Sequence, residues 1–276
     1  MMRYITKIFM LVAALVVLAE SAQAQHTLGV FGGTASATAR FFPKQEMKSI
    51  WGRGNYGVSW RYYSLPRFVG AVGADIELLQ RGFSYGYAYS TYLDDKGNEQ
   101  REYEYYTRRL NSVMIPLVWQ PHFYMINNHL RVYLEAALTL SYNFGGDWDY
   151  TDNDQSGHYD WRRERDNRWN YGLAGGGGVA LLLGRYEVGV RARYYFGYAD
   201  ILRNRNKYYD NATDGPENPF SYTPLKSPLD NLTFNITLAY RFNPDGFLEW
   251  THKPTRQKNT KREFKFSNAG DVGARR

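Results

Sequence analysis

The chain has 276 residues, 43% of them hydrophobic and 22% charged, with 25 tyrosines, 15 phenylalanines, 26 glycines and no cysteine. The missing cysteine excludes a disulfide scaffold, a thiolate metal site and a Cys nucleophile, and a mean hydropathy of −0.57 argues against a polytopic helical membrane protein. Aromatics at 17% beside that much glycine favour strands and turns, because rings fit a pleated surface and glycine weakens helix interiors; a β-barrel in a membrane stays open.

In chain order, Arg3 and Lys7 precede an apolar run from Ile8 to Ala19, and Ala22-Gln23-Ala24 places small residues at a cleavage site. This is the three-part pattern of an export signal over residues 1–24, so fold reasoning starts at Gln25. The apolar run is shorter than the roughly 20 residues a spanning helix needs. The mature chain then carries a formal charge of +6, from 32 basic and 26 acidic residues.

Period-two alternation dominates the mature chain. Its clearest case is Asn231 to Phe242, where Leu232, Phe234, Ile236, Leu238, Tyr240 and Phe242 share one face. The pattern recurs in Leu130 to Phe144, in Tyr186 to Phe196, in Phe68 to Arg81, around Trp60 and Tyr62, and in Ser112 to Trp119. With Gln25 to Ala35 and Asn170 to Leu183 the expectation is eight strands. Short connections (Leu65 to Arg67, Pro121 to His129, Gly184-Arg185) alternate with long ones (Ser36 to Gly52, Gly86 to Glu104, Gly145 to Asn167, Arg203 to Leu229). One end of an up-and-down meander thus carries tight turns and the other long polar loops, the asymmetry of transmembrane barrels.

Periodicity alone leaves open which face is outward. Eight strands enclose an interior only wide enough for side chains, and the bulky Leu, Val, Ile, Tyr and Phe set fits better outside. Aromatics gather at both strand ends: Trp60, Tyr62, Trp119, Phe123, Tyr240 and Phe242 at the short turns, and Tyr85, Tyr105, Tyr142, Phe144, Trp169 and Tyr198 at the long loops. Two aromatic belts imply two lipid interfaces. The expected fold is therefore all-β, an eight-stranded antiparallel up-and-down transmembrane β-barrel over residues 25–242, placed in a bacterial outer membrane.

Several segments resemble the PorT-like outer-membrane β-barrel proteins of Bacteroidetes. They are Val113-Met114-Ile115-Pro116-Leu117-Val118, the strand from Val132 to Ser141, Gly172 to Gly178 leading to Leu183-Gly184, and the closing Leu238-Ala239-Tyr240-Arg241-Phe242. The departures are Ala137, where that family often has Gly-Pro, and a tail past Phe242. The resemblance implies an outer-membrane barrel; the name-giving member takes part in type IX protein secretion, a role that fold alone does not transfer.

On this reading the lumen receives Arg61, Asp75, Glu77, Arg81, Arg131, Glu135, Glu187, Arg191, Arg193 and Arg241. Charges in so narrow a space must pair, because an isolated buried ion costs several kcal/mol; the expectation is a plug of ion pairs and no open pore. If Gly184-Arg185 is a two-residue turn, Gly178 lies opposite Arg191 and Gly176 opposite Arg193, leaving room for the arginines. The glycine run Gly175 to Gly178 is followed by no Lys-Ser/Thr, which argues against a phosphate loop.

No catalytic constellation and no cofactor motif emerge. A lipid-modifying enzyme would need a His at the outer interface, and of the five histidines only His158 falls on the long-loop side, near Ser156, Asp154 and Asp160. The same loop holds Asp147, Asp149, Asp152 and Asp154, a weak Ca²⁺ candidate without the EF-hand spacing. Residues 243–276 carry eight Lys/Arg against four Asp/Glu without period, which reads as a basic, disordered periplasmic tail and not as a nucleic-acid binder. The leading expectation is a structural or interaction barrel; a secretion-apparatus component and a lipid-modifying enzyme are the alternatives. Expected partners are outer-membrane lipid, the barrel-insertion machinery and other envelope or secretion proteins.

Overall fold

A computed structural model of the chain describes residues 25–242 apart from residues 53, 64–69, 94–95, 97–98, 128, 152–154, 204–215, 217 and 221–222. The expected export signal at 1–24, the expected tail at 243–276 and the expected turn at Leu65 to Arg67 lie outside the described residues. The strands in chain order are β1 (Gln25–Ala39), β2 (Glu46–Lys48), β3 (Ile50–Trp51), β4 (Asn55–Tyr63), β5 (Ala71–Leu93), β6 (Glu99–Gln120), β7 (His122–Met125), β8 (Leu130–Tyr150), β9 (Ser156–His158), β10 (Trp169–Leu183), β11 (Tyr186–Gly197) and β12 (Leu229–Arg241).

Eight of these strands form a closed antiparallel ring, β1-β4-β5-β6-β8-β10-β11-β12, with β12 pairing back onto β1 from Thr27↔Arg241 to Ala39↔Leu229. Closure removes both sheet edges, which an apolar solvent demands because it cannot satisfy free N–H and C=O groups. The short strands are additions: β2 pairs with β5, β3 with β1, and β7 and β9 with β8. Gly184, at φ +59°, supplies the left-handed residue of the two-residue turn that sets Leu183 against Tyr186. Pro116 sits mid-sheet without an N–H; the β5–β6 ladder skips Asp75 and Ile76 opposite it, while its pairing with Thr139 on β8 is kept.

The alternation resolves as bulky-out. On β8, Leu134, Leu138 and Leu140 are exposed while Arg131, Glu135, Thr139 and Ser141 are buried; on β12, Phe234, Ile236 and Leu238 are exposed while Thr233, Asn235 and Arg241 are buried. Exposed aliphatics such as Val30, Val58, Ile76, Leu117, Leu173 and Val190 continue the band around the ring. A continuous apolar girdle over a polar interior is stable only against lipid. Exposed Trp60, Trp119 and Phe123 border it at the short-turn end, and Phe144, Trp169 and Tyr198 at the long-loop end. Tyr85 departs from the expected belt: its ring faces inward and lies 4.9 Å from Phe220.

The strands outrun the band. β5, β6 and β8 have 23, 22 and 21 residues, against the roughly 9–11 that cross a bilayer. Much of the expected loops Gly86 to Glu104 and Gly145 to Asn167 is therefore strand: β5 and β6 stay paired to Leu93↔Glu99, and β8 runs to Tyr150. A bulge opposite Asn111 and Ser112 leaves Phe144 unpaired and reverses the phase of β8, so inward Ser141 and Asn143 are followed by inward Gly146 and Trp148. Above the bulge, Phe41, Phe83, Tyr106, Leu110, Trp148, Tyr159, Ile201 and Phe220 form a buried aromatic cluster that fills the long-loop end of the barrel.

Candidate functional site

The lumen is built in layers, each from inward positions of the ring. At the short-turn end Arg131 of β8 contacts Glu187 of β11 and the Tyr63 hydroxyl of β4. Above it lies the central cluster. Arg61 holds Asp75 through its two terminal nitrogens, Nη1 at 2.5 Å and Nη2 at 3.2 Å. Arg191 reaches Asp75 at 2.9 Å and Glu77 at 3.3 Å. Arg193 touches three carboxylates, Asp75 at 2.9 Å, Glu77 at 2.9 Å and Glu135 at 2.7 Å. The Tyr195 hydroxyl donates to Glu77 at 2.6 Å, and Gln120 donates to Glu135 at 3.1 Å.

This cluster sets three guanidiniums against three carboxylates, with Arg193 1% and Glu77 0% exposed. The participants come from β4, β5, β8 and β11, so the contacts cross the lumen and do not merely run along one wall. Guanidinium forks suit this task because five fixed donors can serve several carboxylates at once.

The other two lumen arginines find different partners. Arg81 makes no ion pair among the described residues; its Nε donates to Ser112 at 3.0 Å and its Nη2 to Ser141 at 2.8 Å and Asn143 at 2.9 Å. Its placement one layer above the cluster, where the inward positions carry hydroxyls and amides, accounts for the difference from a pure ion-pair network. Arg241, buried at the short-turn end, donates to the Gly184 carbonyl.

Gly176 lies opposite Arg193 and Gly178 opposite Arg191. What a side chain would meet there is the wall and not the guanidinium: a Cβ on Gly176 would stand 2.3 Å from the Ala192 carbonyl oxygen, and one on Gly178 2.4 Å from that of Val190. The glycines thus permit the close approach of β10 and β11. A Gly176→Val substitution is expected to destabilise the barrel by about 1–3 kcal/mol, as overpacking does, read as a lowered urea midpoint of unfolding in detergent.

At the long-loop end Arg108 lies 3.9 Å over the Tyr159 ring and donates to that hydroxyl at 2.8 Å; Tyr159 in turn donates to Asp166 at 2.7 Å. Burial pushes the Tyr159 hydroxyl well above its usual range, which keeps it a donor at any physiological pH. His158, on β9, lies 3.4 Å from Asp147, and Asp149 contacts Arg109. Asp152 and Asp154 lie outside the described residues. The Asp166–Arg165 and Arg108–Tyr159 contacts were missed in the sequence, where Arg108 and Asp166 carry no periodic signal that sets them apart.

A family model described as outer membrane protein beta-barrel domain matches residues 21–203. No curated protein matches the chain significantly. Among solved structures the chain is similar to Neisserial surface protein A, at 14% identity and TM-score 0.39 over 78% of this chain and 97% of that one. It is also similar to Ail, the attachment invasion locus protein of Yersinia pestis, at 12% identity and TM-score 0.33 over 80% of this chain and 100% of that one. The N-terminal β-barrel domain of Pseudomonas aeruginosa OprF gives 11% identity and TM-score 0.34 over 80% and 100%. With the match spanning more than half of the sequence and the closed, lipid-faced ring beneath it, the chain belongs to the outer membrane protein β-barrel domain family and is an outer-membrane protein.

Proposed function

We propose that the chain is a sealed structural or docking barrel of the outer membrane, exported by its N-terminal signal, with no catalytic role and no cofactor. The observation that carries this reading is the filled lumen: ion pairs span its middle and an aromatic cluster stops its long-loop end. Ions crossing it would have to displace a guanidinium from three carboxylates in a site without bulk water, at several kcal/mol. The working surface is then the long-loop end, where β5 and β6 stand past the apolar band and present tyrosines such as Tyr92 and Tyr103. Tyrosine offers contact area with a polar tip.

The reading is tested by topology and conductance together. A tag inserted at Gly157 is expected to bind antibody on intact cells and one at Asn127 only after permeabilisation; the reverse labelling inverts the barrel. Reconstituted in planar bilayers, the protein is expected to give no stable openings, and large steady conductance would contradict the seal.

A finer reading, supported by the PorT-like segments at Val113 to Val118 and Val132 to Ser141, makes the barrel a component of a type IX secretion apparatus. Copurification of secretion proteins from native membranes supports it; a barrel recovered alone leaves the structural role. Among the described residues His158 contacts the solvated Asp147, and a His158→Ala variant with an unchanged membrane lipid profile is the outcome expected of a non-enzyme.

A further inference from the structure

We infer that the outward rim above β10, β11, β12 and β1 binds the phosphate of an anionic lipid whose chains lie in the outer leaflet. The rim continues the barrel wall in four short segments. Residues 40–42 pair with 226–228, these with 200–203, and these in turn with 165–168. Its inner side is the aromatic cap, to which Phe41, Ile201 and Leu202 belong. Phe42 follows Phe41 and points the other way, and its bridge partner Lys226 shares that exposed outer face. Arg203, next to buried Leu202, is likewise exposed.

Three cations on this rim have no carboxylate partner among the described residues. Arg168, half-buried, donates to the Tyr142 hydroxyl at 3.3 Å and lies 5.3 Å from the Trp161 ring. Arg203 donates to the Asp166 backbone carbonyl at 2.9 Å, and Lys226 is exposed. The acids nearby are engaged, Asp230 by Arg40 and the Gly197 N–H, and Asp200 by the Ser227 N–H. The turn before Arg168, with Asp160, Arg162, Arg163 and Glu164, adds no net charge. Over β6 and β8, in contrast, basic groups meet acids: Arg109 contacts Asp149, and His158 lies beside Asp147. The arc over β10 to β1 therefore carries a positive excess.

This excess stands at the level of lipid headgroups. Trp169 directly follows Arg168, and Tyr198 lies just before the 200–203 segment; both are exposed members of the long-loop aromatic belt. Phe42 and Leu225, each 56% exposed, flank Lys226. An anion held here has apolar side chains beside and below it, which suits a phosphate that carries acyl chains better than a free one. Clustered Lys and Arg at a membrane surface attract anionic headgroups. Only the assignment to the outer leaflet rests on the proposed topology; the lipid contact does not.

The test offers the full chain, folded in detergent, equal amounts of dioleoyl phosphatidic acid and dioleoyl phosphatidylcholine, and counts retained lipid by native mass spectrometry. Phosphatidic acid is expected to be retained about tenfold over phosphatidylcholine. Arg168→Met, Arg203→Met and Lys226→Met combined are expected to bring the ratio near one while the heat-modifiable gel shift persists. Should that variant lose the shift, Arg203→Glu with Lys226→Glu, both at exposed positions, is the second probe and should remove the preference as fully. Replacing Lys258, Lys261 and Lys265 by Met removes the same charge elsewhere and should leave the preference intact. Excess inorganic phosphate should not displace the lipid. A ratio near one for the wild type, a preference surviving in the folded rim variant, or an equal loss in the Lys258, Lys261 and Lys265 variant would each overturn the rim site. Displacement by inorganic phosphate would overturn the lipid as its occupant. None of these readings depends on which end of the barrel faces outward, so their failure is distinct from a failure of the topology test.

Discussion

Replacing Arg193 by Met is expected to cost the folded barrel about 3–5 kcal/mol, the range for removing one partner of a buried ion pair. The guanidinium serves Asp75, Glu77 and Glu135 together, so its loss leaves three carboxylates against Arg61 and Arg191. None of the three can turn to water: each side chain is at most 1% exposed. Methionine fills much of the volume, which assigns the loss to charge and not to a cavity. Arg193→Lys is expected to recover only part of it, since a single ammonium cannot reproduce the fork that holds Glu135 at 2.9 Å from Nε and 2.7 Å from Nη2. Adding Glu135→Gln to Arg193→Met restores the balance of two guanidiniums against two carboxylates and should regain a measurable share. Urea unfolding in lipid vesicles reads all three. A loss below about 1 kcal/mol for Arg193→Met, the scale of a surface pair, would mean that the cluster is hydrated.

How much of this was legible in the sequence depends on which physical signal each part leaves. The transmembrane strands announce themselves, because a lipid face and a packed lumen force period two on residues such as Leu232 to Phe242. The Gly184-Arg185 turn likewise carries its register with it: once Leu183 faces Tyr186, pairing runs unshifted to Gly172↔Gly197. Above the membrane no lipid face exists, so the tyrosine-rich continuation of β5 and β6 reads as loop although it is paired sheet. A bulge is equally silent, since the one-residue slip at Phe144 that turns Trp148 inward leaves no mark in composition. Charges assigned to one face still do not say who meets whom. Arg81 and Arg193 look alike in sequence, yet one finds hydroxyls and an amide and the other three carboxylates, because they sit in different layers. The cap draws Ile201, Leu202 and Phe220 from stretches with no period at all.

Truncating the chain after Phe242 is expected to leave an inserted, heat-modifiable barrel, whereas truncating before Leu232 should abolish insertion altogether. The reason is closure. β12 pairs with β11 on one side and β1 on the other, from Tyr186↔Tyr240 to Tyr195↔Asn231 and from Thr27↔Arg241 to Ala39↔Leu229. Without it both neighbours would present unpaired N–H and C=O groups to lipid, at several kcal/mol for each group. Phe242 marks the boundary, since its N–H donates to the His26 carbonyl at 3.1 Å and its ring meets Tyr240 at 5.3 Å. The next residues, Asn243 to Gly246, include Pro244, which cannot donate to a ladder. The gel shift between unheated and boiled samples reads insertion in both truncations. If loss of 243–276 alone prevented the shift, the tail would be part of the assembly signal and the barrel domain would extend past Phe242.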